Sequence, residues 1–440
     1  MVIACQPDNF HSPLMELSGY NAVMYIKRHL LDALKAHLSK KEISLIIGPR
    51  QAGKTTLMML LKEHVEAQGK RTVAFNLDIE NDRQFFQSQE TLLQKIALEL
   101  GKDGGYVFID EIQRKENAGL FLKGLYDMNL PHKFIVSESG SLELKEKIHE
   151  SLAGRKRVFE LSTLDFIEFA NFKTEYRYEN DLREFLALEK QKRQSLLEEY
   201  MSFGGYPRVA LEDTVVEKRR IIAELYQSYL ERDISFLLGV QKTDRFTALT
   251  RLMASQVGQL AAISEIANTL NINAATVNNY LWLMEKTFLL HRVPPFFKNV
   301  RKELTKTPVF YFHDLGMRNY ALGSYGMPLS PSEGGFLFQN LVHNLLWGKI
   351  SDTSHQVHHW RTTDKAEVDF VLDKNTEAVP VEVKYRSLNT PESSRSFQSF
   401  VSAYRPRAGY IVHLGDDMEK QINSTQTHYV NWSKLMFEEL

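Results

Sequence analysis

The chain has 440 residues, a formal net charge of −1, and a composition that is 43% hydrophobic and 25% charged. Such a length exceeds what one hydrophobic core usually covers, so we expect two to four domains of ordinary globular composition. The lone Cys5 excludes an internal disulfide framework and a cysteine-based zinc site, and favours a cytoplasmic location. No apolar run approaches the roughly eighteen residues that span a bilayer, so no membrane partner is expected. Near-neutral charge leaves any nucleic-acid binding to local patches.

A glycine-rich loop follows the first predicted strand, an apolar run over residues 43–47. Its spacing is G-x-x-x-x-G-K-T, in which backbone N–H groups face phosphate oxygens, Lys54 reaches the β and γ phosphates, and the Thr55 hydroxyl ligates Mg²⁺. A helix predicted from Thr56 onward directs the positive end of its dipole at the anion. The predicted nucleotide-binding residues are Gly48, Pro49, Arg50, Gln51, Ala52, Gly53, Lys54, Thr55, Thr56 and, from a later strand, Ser137.

Two acids, Asp110 and Glu111, end a second apolar run over residues 106–109. A buried strand ends in this way where its carboxyl end opens into a site. We expect Asp110 to hold magnesium through water and Glu111 to polarise an attacking water. Loop and acids occur in the order that the chemistry requires. The sequence therefore predicts that the chain binds ATP with Mg²⁺ and hydrolyses it.

Other short apolar strands alternate with helical stretches around these two motifs. This alternation predicts a parallel sheet covered on both faces, with the site at the carboxyl ends of the strands. Ser137 and Ser139 then lie where Ser137 could touch the γ-phosphate or the lytic water. Alternatively, both serines cap a helix that starts near Leu142. The additional strands are predicted at residues 72–76, 133–137 and 157–161, with helices at 91–100 and 119–127.

Five segments in order along the chain carry a family resemblance: GPRQAGKTTL, FIDEIQ, SGSLEL, LAGR and FGGYP. With these segments the sequence resembles the prokaryotic AAA-type (AAA+) ATPases. More narrowly, it resembles the branch with a C-terminal winged-helix and PD-(D/E)XK nuclease-like region of unassigned function. The resemblance extends over about residues 27–386. It implies a P-loop ATPase fold related to origin-recognition ATPases, and it supplies no substrate.

A charged helical stretch over residues 182–201 breaks at the GGYP segment and resumes over 216–238, which predicts a helical lid. Three arginines are candidates for sensing the γ-phosphate, in cis or from a neighbouring subunit: Arg155, Arg208 and Arg232. We rank Arg155 first because it closely follows the strand that carries Ser137. The alternative for all three is solvation or structural pairing.

Residues 260–290 have a helix-turn-helix pattern, with a short helix at 263–270 and a second helix capped by Asn273. The second helix presents Thr276, Asn278 and Asn279, small polar groups able to contact base edges or phosphates. Positive charge clusters downstream, where a wing would lie, at Arg292, Lys298, Arg301, Lys302 and Lys306. Winged helices also contact proteins. We therefore favour DNA as the partner and keep a protein partner as the alternative.

The last third of the chain holds a second set of acids. Strands predicted at residues 367–372 and 381–384 place Asp369, Glu382 and Lys384 together. Asp369 and Glu382 are then expected to bind Mg²⁺, while Lys384 steadies the attacking water or the phosphate charge. This set resembles the PD-(D/E)XK nuclease pattern, which the same family resemblance covers. The alternative is a half-exposed strand that alternates polar and apolar residues.

One residue weakens the nuclease hypothesis. Gln339 stands where many relatives place a glutamate, so a metal site there would have one carboxylate fewer. The nuclease-like region is then impaired or only binds DNA. His355, His358 and His359 match no zinc spacing with sulfur ligands, and we expect them to be solvated loop residues.

Together these patterns predict an α/β chain with four parts. They are an AAA-type P-loop ATPase core with a parallel sheet (1–165), a helical lid (166–245), a winged helix-turn-helix (246–325) and a restriction-endonuclease-like α/β domain (326–440). We expect a Mg²⁺-dependent ATPase whose nucleotide state controls DNA engagement, and a homo-oligomer is compatible with this. The alternative is an ATP-dependent signalling or assembly switch, in which an inactive nuclease-like domain serves as a binding module.

Overall fold

The computed structural model describes residues 25–101, 103–139, 151–234, 244–297, 307–327, 331–351 and 353–438. The first part of the fold is a parallel sheet with the strand order β2-β3-β4-β1-β5. Its strands are β1 (Ile43–Gly48), β2 (Thr72–Asn76), β3 (Gly105–Asp110), β4 (His132–Ser139) and β5 (Lys156–Glu160). Its helices are α1 (Leu30–His37), α2 (Lys54–Ala67), α3 (Glu80–Arg83), α4 (Gln89–Leu100) and α5 (Ala118–Asp127).

Both faces of this sheet are covered, which is why β1, an inner strand, is mainly apolar. Every residue of β1 is buried, and successive side chains point to opposite faces. Leu45 belongs to a hydrophobic cluster on one face, and Ile46 belongs to a separate cluster on the other. The predicted parallel sheet is therefore confirmed. Because β4 lies between β1 and β3, Ser137 and Ser139 are placed between the glycine-rich loop and the two acids.

A helical region follows the sheet. It contains α6 (Phe166–Lys173), α7 (Leu182–Leu188), α8 (Lys190–Phe203), α9 (Pro207–Ala210) and α10 (Val215–Ser228), which continues as π-helix over Tyr229–Ile234. The predicted break after α8 occurs at Gly204, whose φ is 76°. Gly205 then passes so close to the Leu164 carbonyl that a Cβ would lie 2.3 Å from its oxygen. Glycine at 205 thus lets the helical region approach the end of the first sheet.

The predicted helix-turn-helix is present as two helices. These helices are α12 (Ile263–Leu270) and α13 (Ala274–Lys286). Another helix, α11 (Asp244–Ser255), precedes them. The Asn273 side chain accepts a hydrogen bond from the Thr276 N–H, so the predicted cap is confirmed. An antiparallel pair follows, β6 (Leu290–Val293) and β7 (Val309–Phe312), and then α14 (Leu315–Leu322). The predicted wing residues Lys298, Arg301, Lys302 and Lys306 lie outside the described residues.

The C-terminal part is a second sheet, with the strand order β12-β13-β11-β10-β9-β8. The strands β10, β11 and β13 are parallel, and the other pairs are antiparallel. Its elements are α15 (Pro331–Ile350), β8 (Gln356–Arg361), β9 (Glu367–Asp373), β10 (Ala378–Val383), α16 (Arg395–Tyr404), β11 (Ala408–His413), β12 (Met418–Ile422) and β13 (Thr425–Asn431). Helix α16 is the crossover that joins the parallel strands β10 and β11.

The helical region, the helix-turn-helix and the C-terminal sheet share one hydrophobic cluster, which extends from Ile26 to Leu435. The expectation of solvated loop histidines is wrong for His358 and His359. Both lie in β8 and are buried, and burial lowers the pKa of His359 to about 4. Within the part of the chain that the structure describes, no helix is both long and apolar enough to span a bilayer.

Candidate functional site

The glycine-rich loop joins β1 to α2 in a conformation that requires its glycines. A Cβ on Gly48 would lie 2.0 Å from the Leu161 carbonyl oxygen, and Gly53 has a φ of 99°. The Lys54 ammonium donates to the carbonyl oxygens of Gly48 (2.9 Å) and Pro49 (2.7 Å). It is thus held over the loop, where it can exchange these carbonyls for phosphate oxygens.

A cavity of about 480 Å³ opens beside this loop and is large enough for a nucleotide. Its wall includes the loop and the first turn of α2, namely Arg50, Gln51, Ala52, Gly53, Lys54, Thr55 and Thr56. Apolar side chains from the preceding segment, from α2 and from the helical region line another part: Ile26, Leu57, Leu60, Pro207 and Leu211. The cavity therefore offers N–H donors at a helix start for phosphate and apolar surface for a base.

The first acid of the pair is tied to the loop. Asp110 is buried, and its Oδ2 accepts a hydrogen bond of 2.7 Å from the Thr55 hydroxyl. Its Oδ1 accepts from the Ser137 hydroxyl. A threonine hydroxyl and a carboxylate at this separation are hard oxygen ligands of the type that Mg²⁺ takes beside phosphate. Thr55 and Asp110 thus fit the metal that the loop implies.

The second acid borders the cavity. Glu111 adopts a left-handed backbone conformation (φ 59°), and its N–H donates to the Ser137 hydroxyl at 3.1 Å. Its Oε2 accepts from the Ser139 hydroxyl at 2.7 Å and from the Gln113 side-chain amide. Our sequence reasoning missed Gln113. The signal was its place two residues after Glu111, within the segment FIDEIQ.

The expectation that Ser137 faces the γ-phosphate is corrected by these contacts. Ser137 is fully buried, and its hydroxyl is occupied by Asp110 and by the Glu111 N–H. Ser139, two residues further along β4, lines the cavity instead. The two residues lie on the same side of the strand because side chains alternate. The helix that the serines were alternatively expected to cap, near Leu142, lies outside the described residues.

The first rank of Arg155 is corrected for a role within its own chain, while a role from a neighbouring subunit stays a prediction. Arg155 precedes β5, its carbonyl accepts from the Ile43 N–H, and its guanidinium pairs with Asp127 at 2.7 Å. This places Arg155 at the amino end of the strands, whereas the loop is at their carboxyl end, so Arg155 does not reach the cavity of its own chain. Arg208 lines the cavity and donates to the Gln51 side chain at 2.7 Å. The side chain of Arg232 lies outside the described part.

A further arginine that sequence reasoning missed, Arg28, lines the cavity and ties the loop to the helical region. The guanidinium of Arg28 is buried and pairs with Glu168 at 3.0 Å. It also donates to the carbonyl oxygens of Ala52 (2.6 Å) and Ser162 (2.7 Å). One side chain therefore fixes the loop to the first helix of the helical region. No local sequence pattern marks it, because its partners are distant in the chain.

The end of α13, the second helix of the helix-turn-helix, lies near the same loop. A small cavity separates the loop residues Pro49 and Gln51 from Tyr229 and from the turn after α13. In that turn, the Thr287 hydroxyl and the Tyr229 hydroxyl are hydrogen-bonded at 2.8 Å in a buried position. Phe288 has a φ of 60° and belongs to the hydrophobic cluster of the first sheet. The helix-turn-helix is thus anchored in the core beneath the nucleotide cavity.

The C-terminal acids lie on neighbouring strands, but their oxygens are already bonded within the chain. Asp369 in β9 accepts from the Gln339 side-chain amide (2.9 Å) and from the Val383 N–H (2.7 Å). Burial raises the pKa of the Asp369 carboxyl to about 7, against the lowering effect of the Val383 N–H. Gln339 thus occupies one oxygen of the acid that was expected to bind metal.

The partner acid is bonded in the same way. Glu382 in β10 is buried and pairs with the Lys384 ammonium at 2.5 Å. Its other oxygen accepts from the hydroxyl of Ser394, the cap of α16, at 2.9 Å. The structure therefore brings Asp369, Glu382 and Lys384 together on neighbouring strands, where the carboxylate oxygens of the two acids accept from Gln339, Val383, Lys384 and Ser394.

Comparison with family models matches three stretches of the chain. Residues 40–170 match the AAA domain, residues 194–326 match a Domain of unknown function (DUF8612), and residues 334–435 match a Domain of unknown function (DUF4143). The match of the first stretch, together with the parallel sheet, supports the predicted fold of an AAA-type P-loop ATPase. The winged helix and the nuclease-like domain stay predictions.

Relatives of similar length occur in bacteria and archaea. An uncharacterized protein of Mycobacterium tuberculosis is 27% identical over 407 residues, which cover 89% of this chain and 80% of the relative. One of Haemophilus influenzae is 25% identical, covering 86% of this chain and 88% of the relative. One of Methanocaldococcus jannaschii is 24% identical, covering 96% of this chain and 90% of the relative.

Two solved structures show a weaker similarity. The replication initiator DnaA bound to AMPPCP and single-stranded DNA has 15% sequence identity and a TM-score of 0.28, over 60% of this chain and 90% of that chain. A structure of katanin has 16% identity and a TM-score of 0.25, over 33% of this chain and 55% of that chain. Likeness at this level carries no argument about function.

Proposed function

We propose that the protein is a Mg²⁺-dependent ATPase whose nucleotide state controls the engagement of DNA. The observation that supports the ATPase part is the hydrogen-bonded set around Asp110. Thr55 and Ser137 hold that carboxylate beside the loop, while Glu111 faces the nucleotide cavity. Each residue type is the one that phosphoryl transfer to water needs at its position.

In this proposal each residue has one role. Lys54 releases the Gly48 and Pro49 carbonyls and binds the β and γ phosphates. Thr55 and Asp110 hold the Mg²⁺, which neutralises phosphate charge when bound. Glu111 orients the attacking water and accepts its proton. Arg208, contributed by the helical region, reports whether the γ-phosphate is present.

The small cavity that the loop shares with Tyr229 and with the turn after α13 supports the control of DNA engagement. In this proposal a change in the loop on nucleotide binding reshapes this cavity and is passed to Tyr229 and to the Thr287–Phe288 turn that ends α13. On the outer face of α13, Asn278 and Asn279 are exposed and available to a nucleic acid. The Thr276 hydroxyl donates to the Asn273 cap at 2.9 Å, so toward a nucleic acid it is left as an acceptor.

The second candidate function is a nucleotide-dependent assembly or signalling switch. The closed hydrogen bonding at the C-terminal acids favours it, because Gln339, Lys384 and Ser394 satisfy the oxygens that a catalytic metal would need. In this case the C-terminal sheet is a binding module. Asp369 and Glu382 then stabilise the sheet end and cut no DNA.

The test of the ATPase proposal is phosphate release by purified protein with Mg²⁺. Lys54→Ala is expected to lower the rate by about 10³-fold, since it removes the ammonium that is expected to bind the β and γ phosphates. Lys62→Ala is the matched control, because Lys62 lies on the same helix in a surface pair with Glu66. A wild-type rate no higher than that of Lys54→Ala would refute the proposal.

The two candidate functions separate in a binding experiment. A gel shift with duplex and single-stranded DNA is run at several salt concentrations, with ADP and with a slowly hydrolysed ATP analogue. Control of DNA engagement predicts different affinities in the two nucleotides and a steep loss of affinity as salt rises. A nucleotide-dependent change in solution mass without any DNA shift favours the assembly switch. Incubation of plasmid DNA with Mg²⁺ or Mn²⁺ tests cleavage directly.

A further inference from the structure

The Gln113 side chain forms hydrogen bonds to two residues of the nucleotide site, Glu111 and Ser139. It lies in the short 3₁₀ turn Ile112–Arg114, directly after Glu111. Its amide nitrogen donates to Glu111 Oε2 and to the Ser139 hydroxyl (2.8 Å). Its amide oxygen accepts from the Ser139 N–H (3.3 Å). The side chain thus joins the proposed general base to the neighbouring strand.

These contacts determine which oxygen of Glu111 is available. Oε2 accepts both from Gln113 and from the Ser139 hydroxyl, whereas no described residue donates to Oε1. The backbone of Glu111 is held as well, by its left-handed conformation and its N–H bond to Ser137. A glutamate side chain otherwise rotates about three bonds, and a misplacement of about 1 Å at a reacting group can cost about 10²-fold in rate.

We propose that Gln113 is a positioning residue for ATP hydrolysis: it holds Glu111 Oε2 so that Oε1 faces the water that attacks the γ-phosphate. This inference rests on the proposed ATPase function. Ser139 is paired in register with Gly48, the first residue of the loop. The bridge from Gln113 to Ser139 therefore aligns the base with the phosphate-binding loop itself.

A glutamine is suited to this task for a chemical reason. Its amide donates to a carboxylate without adding charge, and its oxygen accepts from the Ser139 N–H at the same time. An ionised glutamate can only accept, and it would face Glu111 with like charge. A lysine or arginine would pair with Glu111 and compete with the water. The residue type thus provides two oriented bonds and leaves the anion available.

The experiment compares Gln113→Ala, Gln113→Glu and the control Gln94→Ala, which alters an exposed glutamine on α4. Steady-state phosphate release gives kcat and KM, and a fluorescent ATP analogue gives nucleotide affinity. For Gln113→Ala we expect kcat to fall about 10- to 100-fold, with affinity changed less than about twofold. For Gln113→Glu we expect a similar loss at pH 8 that shrinks relative to wild type as the pH falls toward 5.5, because the protonated acid donates again.

The outcomes are distinguishable. A kcat for Gln113→Ala within about twofold of wild type would overturn the inference. The inference would also be overturned if Gln113→Ala lowers nucleotide affinity and Tm as much as it lowers kcat, and if kcat of Gln113→Glu does not recover at low pH. That pattern indicates only a structural role. If wild-type protein releases no more phosphate than Lys54→Ala, the proposed function itself fails. Normal wild-type hydrolysis with an unaffected Gln113→Ala refutes the positioning role alone.

Discussion

The nucleotide cavity and the C-terminal acidic group are built from the same kinds of residues, but their lysines have different partners. Each contains two acids, a lysine and a hydroxyl. In the cavity the acids lie at the end of one strand, and in the C-terminal group they lie on two neighbouring strands. In the cavity, Lys54 bonds to carbonyl oxygens of its own loop and leaves the acids to hydroxyl and amide donors. In the C-terminal group, Lys384 pairs directly with Glu382.

The difference teaches that the donors of a carboxylate decide its chemistry more than its place in the sequence does. Glu111 borders a cavity of about 480 Å³, and its Oε1 has no donor among the described residues, while Asp110 lies buried behind the loop. Asp369 accepts from Gln339 and Val383, and its pKa is raised by burial. One site is arranged to receive a metal and an anion, and the other satisfies itself.

The largest expected effect comes from changing one acid in each region. Glu111→Gln should lower kcat for ATP hydrolysis by at least about 10²-fold while ATP still binds, because a neutral amide cannot accept the proton of water. Glu382→Gln, the same change in the C-terminal group, should leave kcat within about twofold of wild type. Phosphate release and binding of a fluorescent ATP analogue measure both. Equal losses in the two variants would contradict the separation of the regions.

An intermediate effect is expected when the closing residue of the C-terminal group is changed. Gln339→Glu replaces an amide donor beside Asp369 with a third carboxylate, so Mn²⁺ should bind about tenfold more tightly than to wild type. Gln421→Glu, on the exposed strand β12, is the matched control. The measurement is Mn²⁺ titration followed by electron paramagnetic resonance. Unchanged affinity in Gln339→Glu would show that the amide does not close this site.

The smallest expected effect is the dependence of stability on pH. The pKa of Asp369 is about 7 in the folded chain and about 3.9 in an unfolded one. Between these values the folded state binds more protons, so this contribution to the free energy of unfolding is full below about pH 4 and is lost as the pH rises through about 7. The contribution should be on the order of 1 kcal/mol, because the partly exposed carboxyl is screened by solvent.

Urea unfolding in the presence of a chelator tests this prediction. Wild type and Asp369→Asn are compared at pH 5 and pH 8, and the variant should lose less stability than wild type over that interval. Asp314, whose pKa burial raises to about 6, is present in both proteins, so its contribution cancels in the difference. Parallel pH dependence in the two proteins would show that Asp369 is ionised throughout.

Much of the fold could be predicted because its signals are local. The parallel strands around the loop, the helix at 263–270 and the Asn273 cap follow from apolar periodicity and from side-chain capping within a few residues. The strands at 367–373 and 378–383 follow in the same way. What failed depends on distant partners. His358 and His359 were expected in a loop, and only their packing in β8 shows that they are buried.

For the candidate sites, the sequence by itself determined the residue types and the order of the loop and the acids, since covalent spacing alone brings Lys54 and Thr55 to a phosphate. The tertiary structure decided which of these residues contact one another and which of them line the cavity. It placed Ser139, not Ser137, at the cavity, and Arg208, not Arg155, beside the loop. It also brought Gln113 onto Glu111 and Gln339 onto Asp369. The physical reason is that hydrogen bonds act over about 3 Å, and only folding sets such distances between remote residues.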